Sequence, residues 1–111
     1  MRRIFLNAFT MNGVVHQSPG LWTRAENKTT EYNSLDYWIE LAKLLERGCF
    51  DAMFIADSVG INDNYLGNRD AAVRRAAHIP IADPMLLIPS MAHATKHLGF
   101  GFTSSILQYN P

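Results

Sequence analysis

A single cysteine in 111 residues, Cys49, rules out an intrachain disulfide and a cysteine-rich metal centre. It falls between a helix end and the start of an apolar run, which reads as a buried, inert thiol. No apolar run approaches the roughly 18 residues that a membrane span needs. The stretch Ile4-Phe5-Leu6 that follows Met1-Arg2-Arg3 stops at Asn7, too early for the apolar region of a signal peptide. The chain therefore reads as cytoplasmic, with no membrane partner. Charge of one sign is also lacking: ten basic residues balance ten acidic ones, and apart from Arg2-Arg3 and Arg74-Arg75 the arginines are scattered. Without a summed positive field, nucleic acid is not an expected partner. What remains, 48% hydrophobic and 18% charged residues with five prolines, is the composition of an ordinary globular chain.

Catalytic signatures are scarce too. There is no G-x-G-x-x-G after the first apolar run and no Walker lysine motif, which weakens a Rossmann or P-loop reading. No G-x-S-x-G elbow occurs. The position where a barrel amidohydrolase carries His-x-His reads Asn7-Ala8-Phe9. His93 and His97 have the spacing of a zinc pair on one helix face, but no acid or third histidine joins them, so solvated histidines are the favoured reading.

Three short apolar runs read as strands: Ile4 to Asn7, Phe50 to Ala56 and Leu98 to Thr103. Each ends on a polar residue, Asn7, Asp57 or Thr103. Leu35, Trp38, Ile39, Ala42 and Leu45 recur at helical spacing and predict a helix from Leu35 to Arg47, with Asp36 in its first turn, Arg47 in its last and Gly48 as its stop. A second helix is predicted from the N-cap Asp83 and Pro84 to Lys96-His97, with Pro89 kinking it or delaying its regular part. A short helix across Asp70 to Ala77 is weakly signalled.

The connections are uneven. Helix-to-strand links take a few residues around Gly48 and Gly99, whereas strand-to-helix links take Ala8 to Ser34 and Ser58 to Asp83. In a right-handed βαβ array such long segments gather at the carboxyl ends of the strands, where barrels and doubly wound sheets carry their sites. Asn7, Asp57 and Thr103 would then face one crevice. Phe9, Met11 and Trp22 from the first long loop, with His16 and Asn12 as polar members, either line that crevice or pack the loop onto the top of the sheet. A carboxylate closing the apolar run Met53-Phe54-Ile55-Ala56 must be solvated or hydrogen-bonded, so Asp57 is either a site residue or a cap on its loop. Thr103 is either a site hydroxyl or a plain strand end. Arg69, Arg74 and Arg75 suit an anion clamp, with a solvated helix face as the commoner explanation.

The segments His16-Gln17-Ser18-Pro19-Gly20-Leu21-Trp22, Tyr37-Trp38 through Leu45-Glu46-Arg47-Gly48 into Phe50-Asp51-Ala52-Met53-Phe54-Ile55-Ala56-Asp57, Asp83-Pro84, and Leu98-Gly99-Phe100-Gly101-Phe102-Thr103 resemble one family in order and spacing. It is the branch of luciferase-like flavin monooxygenases that includes the nitrilotriacetate and dibenzothiophene-sulfone monooxygenases. The resemblance covers essentially all of residues 1–111 and implies an α/β fold, the N-terminal portion, about three βα units, of a TIM-type (β/α)8 barrel. A complete barrel takes about 250 residues, so the expectation is one incomplete barrel domain.

The same resemblance implies reduced FMN as diffusible cosubstrate, O2 as second substrate and a separate NAD(P)H-dependent flavin reductase as supplier. The organic substrate would be small, such as a sulfone or an aminopolycarboxylate, with the first-loop motif nearer the sulfone enzymes. Asp57 and Thr103 match flavin-site positions, while His16 and Trp22 belong to the substrate-side loop. No catalytic residue and no metal is assigned, and a homo-oligomer is expected. Two other readings stay open: a non-catalytic piece acting only as a subunit, and a deazaflavin-dependent oxidoreductase of the same superfamily.

Overall fold

The computed structural model describes residues 3–15, 18, 20–58 and 60–104. Three strands, β1 (Asn7–Met11), β2 (Ala52–Ala56) and β3 (Gly99–Phe102), form a parallel sheet in the order β1-β2-β3. The register aligns Asn7 with Ala52 and Met11 with Ala56, then Ala52 with Gly99 and Ile55 with Phe102. Between the strands lie α1 (Leu35–Arg47), the short α2 (Asp70–Arg74) and α3 (Ile88–Ala94).

The helix α1 has the bounds its periodicity predicts. It turns Trp38 and Ala42 inward to meet Met53 and Ile55 of β2, Met91 of α3 and Leu98, and these buried side chains form the core. Trp38 is only 1% exposed. Its indole Nε1 donates to the Tyr32 carbonyl at 2.6 Å, so the buried N–H is satisfied. Burial, and then the charge of Glu31, push the neighbouring Tyr37 phenol above its ordinary pKa. Trp38 is core, Leu41 and Leu45 are half-buried, and Leu44 and Leu35 are exposed.

At its end α1 makes a Schellman motif: the Phe50 N–H bonds to the Leu45 carbonyl at 3.1 Å and the Cys49 N–H to the Glu46 carbonyl at 3.0 Å. The left-handed residue is Cys49, with φ 59, and Gly48 ahead of it has φ −77. Cys49 is therefore exposed on the turn and not buried. Glu46 closes the same corner. Its Oε1 accepts from the backbone N–H groups of Lys96, His97 and Leu98 at 2.7, 2.6 and 3.2 Å, fixing the turn that feeds β3. These bonds, with help from the charge of His97, hold its carboxyl below the usual carboxylate pKa.

The second helix begins as foreseen at Asp83, whose Oδ1 accepts from the Met85 N–H at 2.8 Å. A 3-10 turn over Pro84–Leu87 precedes the α-helical part, and Pro89 lies in the first turn of α3, where its missing N–H costs nothing. α3 stops at Ala94, before the expected Lys96-His97.

The first strand is displaced from its expected place. Residues Ile4 to Leu6 are a lead-in, with Ile4 82% exposed. They are tied to the start of β2 by the Leu6 N–H to Asp51 Oδ2 bond at 2.9 Å, the Asp51 N–H to Leu6 carbonyl bond at 2.9 Å and an Arg3–Asp51 ion pair. β1 starts at Asn7 because β2, its pairing partner, starts at Ala52. Among the described residues no helix is long and apolar enough to cross a membrane.

Candidate functional site

Parallel pairing brings the carboxyl ends of all three strands to one edge of the sheet, where Asn12, Asp57 and Thr103 follow Met11, Ala56 and Phe102. Thr103 continues the ladder by donating its N–H to the Ile55 carbonyl at 3.2 Å. Its hydroxyl Oγ1 accepts from the Asp57 N–H at 2.7 Å. Asp57, half-buried, and Thr103, exposed, are thus directly linked.

Asn7 does not belong to this edge. It opens β1 beside Ala52, at the opposite end of the sheet, because the strand runs four residues past it. The polar strand-end residue of β1 is Asn12, only 3% exposed. Its carbonyl accepts from the Ala82 N–H at 2.8 Å and its Nδ2 donates to the Asp83 carbonyl at 3.3 Å, while its Oδ1 is buried without a donor among the described residues. Beside it Gly13 makes an antiparallel bridge with Ile81. A Cβ on Gly13 would stand 2.9 Å from both Ile81 Cγ2 and the Pro80 carbonyl oxygen, so a side chain has no room there. Asn12 and Gly13 therefore clasp the first long loop to the end of the second. The Asn-Gly pair is itself a turn signal and could have located the strand end in the sequence.

Phe9 and Met11 lie in β1 and not in the loop after it. The Phe9 ring stacks on Phe54 with centroids 5.5 Å apart and planes 21° off parallel, on the sheet face turned away from the core. Gly101 stands beside Phe54 in the register, and a Cβ there would come within 3.3 Å of the Phe54 ring. The aromatic pair thus lies against a strand without side-chain bulk at that point. Met11 is buried.

Trp22, half-buried in a 3-10 turn over Leu21–Thr23, donates from its Nε1 to the Arg75 carbonyl at 3.1 Å, just beyond α2. It borders a small cavity of about 180 Å³ with Val14, Val15 and Leu21. No described contact joins Trp22 to Asp57 or Thr103; it ties the two long loops together. His16 lies outside the described residues. His93 and His97 are exposed, and among the described residues no group of three histidine, cysteine or acidic side chains is placed to hold a metal.

No family model matches the chain. Over 110 residues, 99% of its length, it is 52% identical to the long-chain alkane monooxygenase of Geobacillus thermodenitrificans (strain NG80-2) and 47% identical to the dimethyl-sulfide monooxygenase of Hyphomicrobium sulfonivorans. Over 111 residues it is 33% identical to the dibenzothiophene-sulfone monooxygenase of Rhodococcus erythropolis (strain XP). The chain spans 25%, 23% and 24% of these three proteins. The crystal structures of the first two superpose with a TM-score of 0.90 each, over 94% and 95% of this chain and 24% and 22% of theirs. The parallel sheet of three strands is accordingly an arc of a TIM-type (β/α)8 barrel, with the core on its outer, helix-covered face and Phe9 and Phe54 on its inner face. Matched along its length in sequence and in fold, and spanning about a quarter of each relative, the chain belongs to the luciferase-like monooxygenase family.

Proposed function

We propose that this chain forms part of the flavin crevice of a two-component monooxygenase that uses reduced FMN and O2 to oxygenate a small organic molecule. The observation that carries the reading is the Asp57–Thr103 hydrogen bond at the carboxyl edge of the sheet, where barrel enzymes hold their ligands. The residues suit such a group. The half-buried Asp57 carboxylate accepts hydrogen bonds. The Thr103 oxygen is taken by the Asp57 N–H, which leaves its own O–H to donate. Phe9 and Phe54 supply an apolar floor and Gly101 adds no bulk beside it. Reduced flavin, when bound, would supply the electrons that activate O2. The clasp of Asn12 and Gly13 on residues 80–83 closes the first loop over the strand ends and helps to exclude water.

His16 and Trp22 fall on the substrate side in this reading. A separate NAD(P)H-dependent flavin reductase, a homo-oligomeric state and a cytoplasmic location complete it, and residues 1–111 form one incomplete barrel domain. The 52% and 47% identity to an alkane and a dimethyl-sulfide enzyme puts hydrocarbons and small sulfides beside sulfones and aminopolycarboxylates as substrate classes.

The test is a chimera in which this chain replaces the matching quarter of the long-chain alkane monooxygenase. Supplied with a flavin reductase and reduced FMN, it is expected to incorporate oxygen into an alkane, a dialkyl sulfide or a sulfone. Asp57→Ala and Thr103→Ala are each expected to weaken reduced-FMN binding. Unchanged affinity in both variants removes the site assignment.

A further inference from the structure

The segment between β2 and α3 carries a second feature that the strand-end site leaves unused. An open groove of about 590 Å³ is lined by the exposed Tyr65, Leu66, Asn68, Asp70, Arg74 and Arg75. Among the described residues neither arginine forms an ion pair; the pairs present use Arg3, Arg24 and Lys43. A cation in the last turn of a helix is commonly explained by the helix dipole. α2 has only five residues, and Arg75 lies beyond its end.

Arg75 is also held in place. Its carbonyl takes the Trp22 indole N–H at 3.1 Å. Its guanidinium reaches Gly20, where an added Cβ would stand 3.6 Å from Nη1. Leu66, in the same lining, is displayed to solvent: it is 78% exposed, with φ 56, and Gly67 follows with φ 63. A leucine in the left-handed region costs about 1–2 kcal/mol.

We propose that this groove binds a small organic monoanion, a sulfonate or carboxylate with a short apolar body. The head would take the fork geometry of Arg74 and Arg75, and the body would lie on Leu66 and the Tyr65 ring. Asp70, on the same wall system, repels a second negative charge and so disfavours inorganic dianions. The site is independent of the flavin reading, since binding can be measured without turnover.

Isothermal titration of the chimera that carries this chain within the long-chain alkane monooxygenase, without flavin and at low ionic strength, with hexanesulfonate, 1-hexanol and inorganic sulfate as probes, tests it. Hexanesulfonate is expected to bind saturably and about tenfold or more tighter than either other probe, because both charge and apolar body contribute. The pair Arg74→Gln/Arg75→Gln should lose that advantage at unchanged circular dichroism, and Arg24→Gln should keep it. Arg74→Lys/Arg75→Lys, which retains the charge and loses the fork, should fall between them. No saturable binding of hexanesulfonate, equal binding of sulfate, or full affinity in the glutamine pair would each overturn the proposal.

Discussion

The backbone N–H of Asp57 and the hydroxyl of Thr103 meet at 2.7 Å, coupling the carboxyl ends of β2 and β3 through a side chain where the ladder itself stops. Thr103→Val removes the acceptor at nearly constant shape, whereas Thr103→Ser retains it. Because Thr103 is exposed, water can replace the lost partner, and the expected cost is at the low end for a hydrogen bond, about 0.5–1 kcal/mol. Urea unfolding should show the valine variant destabilised by that amount and the serine variant close to the parent. Equal stability of all three would mean the bond contributes nothing.

Asn12 combines one long hydrogen bond with an orphaned buried oxygen, so its site tolerates a neutral amide and not a charge. Asn12→Asp would place a carboxylate against the Asp83 carbonyl. Relative to Asn12→Ala, the aspartate should lower stability by about 1–3 kcal/mol further near neutral pH, and less at low pH where it is protonated. Unfolding midpoints of the two variants at two pH values check both the sign and its pH dependence.

The strand ends show how far the sequence can be read. α1 was legible because its apolar period is unbroken, and β2 and β3 because each is a short apolar run between turn residues. β1 was not. Ile4-Phe5-Leu6 is the more apolar stretch, yet those residues face solvent while Asn7–Met11 pairs, since pairing is decided by where the partner strand begins. A β1 read too early places Asn7, and not Asn12, at the strand end. Asp57 and Thr103 do stand at the carboxyl edge of the sheet, because the apolar runs before them mark the ends of β2 and β3. The left-handed Cys49 was hidden by the adjacent glycine, which looked like the natural occupant of that conformation.

Cys49 therefore offers a stabilising substitution. Its φ of 59 costs a side chain about 1–2 kcal/mol relative to glycine, offset in part by the greater freedom glycine gives the unfolded chain. Cys49→Gly is expected to raise stability by about 0.5–1 kcal/mol, and Cys49→Val, which is β-branched, to lower it. A fall in stability for the glycine variant would mean that the thiol makes a contact worth more than the strain.

Glu46 sets a pH dependence at the acid end. Its carboxyl is held below the ordinary carboxylate value of about 4.5, chiefly by the backbone N–H groups of His97 and Lys96, then by Leu98 and the charge of His97. A carboxyl with a depressed folded-state pKa stabilises the fold above the unfolded value and loses that contribution as pH falls through the folded value. The parent should therefore lose stability below about pH 4.5 more steeply than Glu46→Gln, while the glutamine variant is the less stable at pH 6 to 7. Parallel profiles over pH 3 to 7 would show that the clamp is energetically silent.

The last prediction concerns the face that the sheet leaves open. The core covers only the helix side of the sheet, and on the other side Phe9 is 53% exposed beside Phe54. β1 and β3 are edge strands within the described sheet, and on α1 the exposed Leu44 and Leu35 add apolar surface. At about 25 cal/mol per Å² of apolar area, several such side chains left in water forgo several kcal/mol, comparable with the net stability of a small domain. Edge strands with unpaired backbone groups give association a template as well as a driving force. The 111-residue chain by itself should therefore self-associate, and Phe9→Lys together with Leu44→Glu should shift it toward smaller species. Sedimentation equilibrium read beside hydrogen exchange decides the matter, because a monodisperse, cooperatively folded monomer of these residues would show that the open face needs no partner.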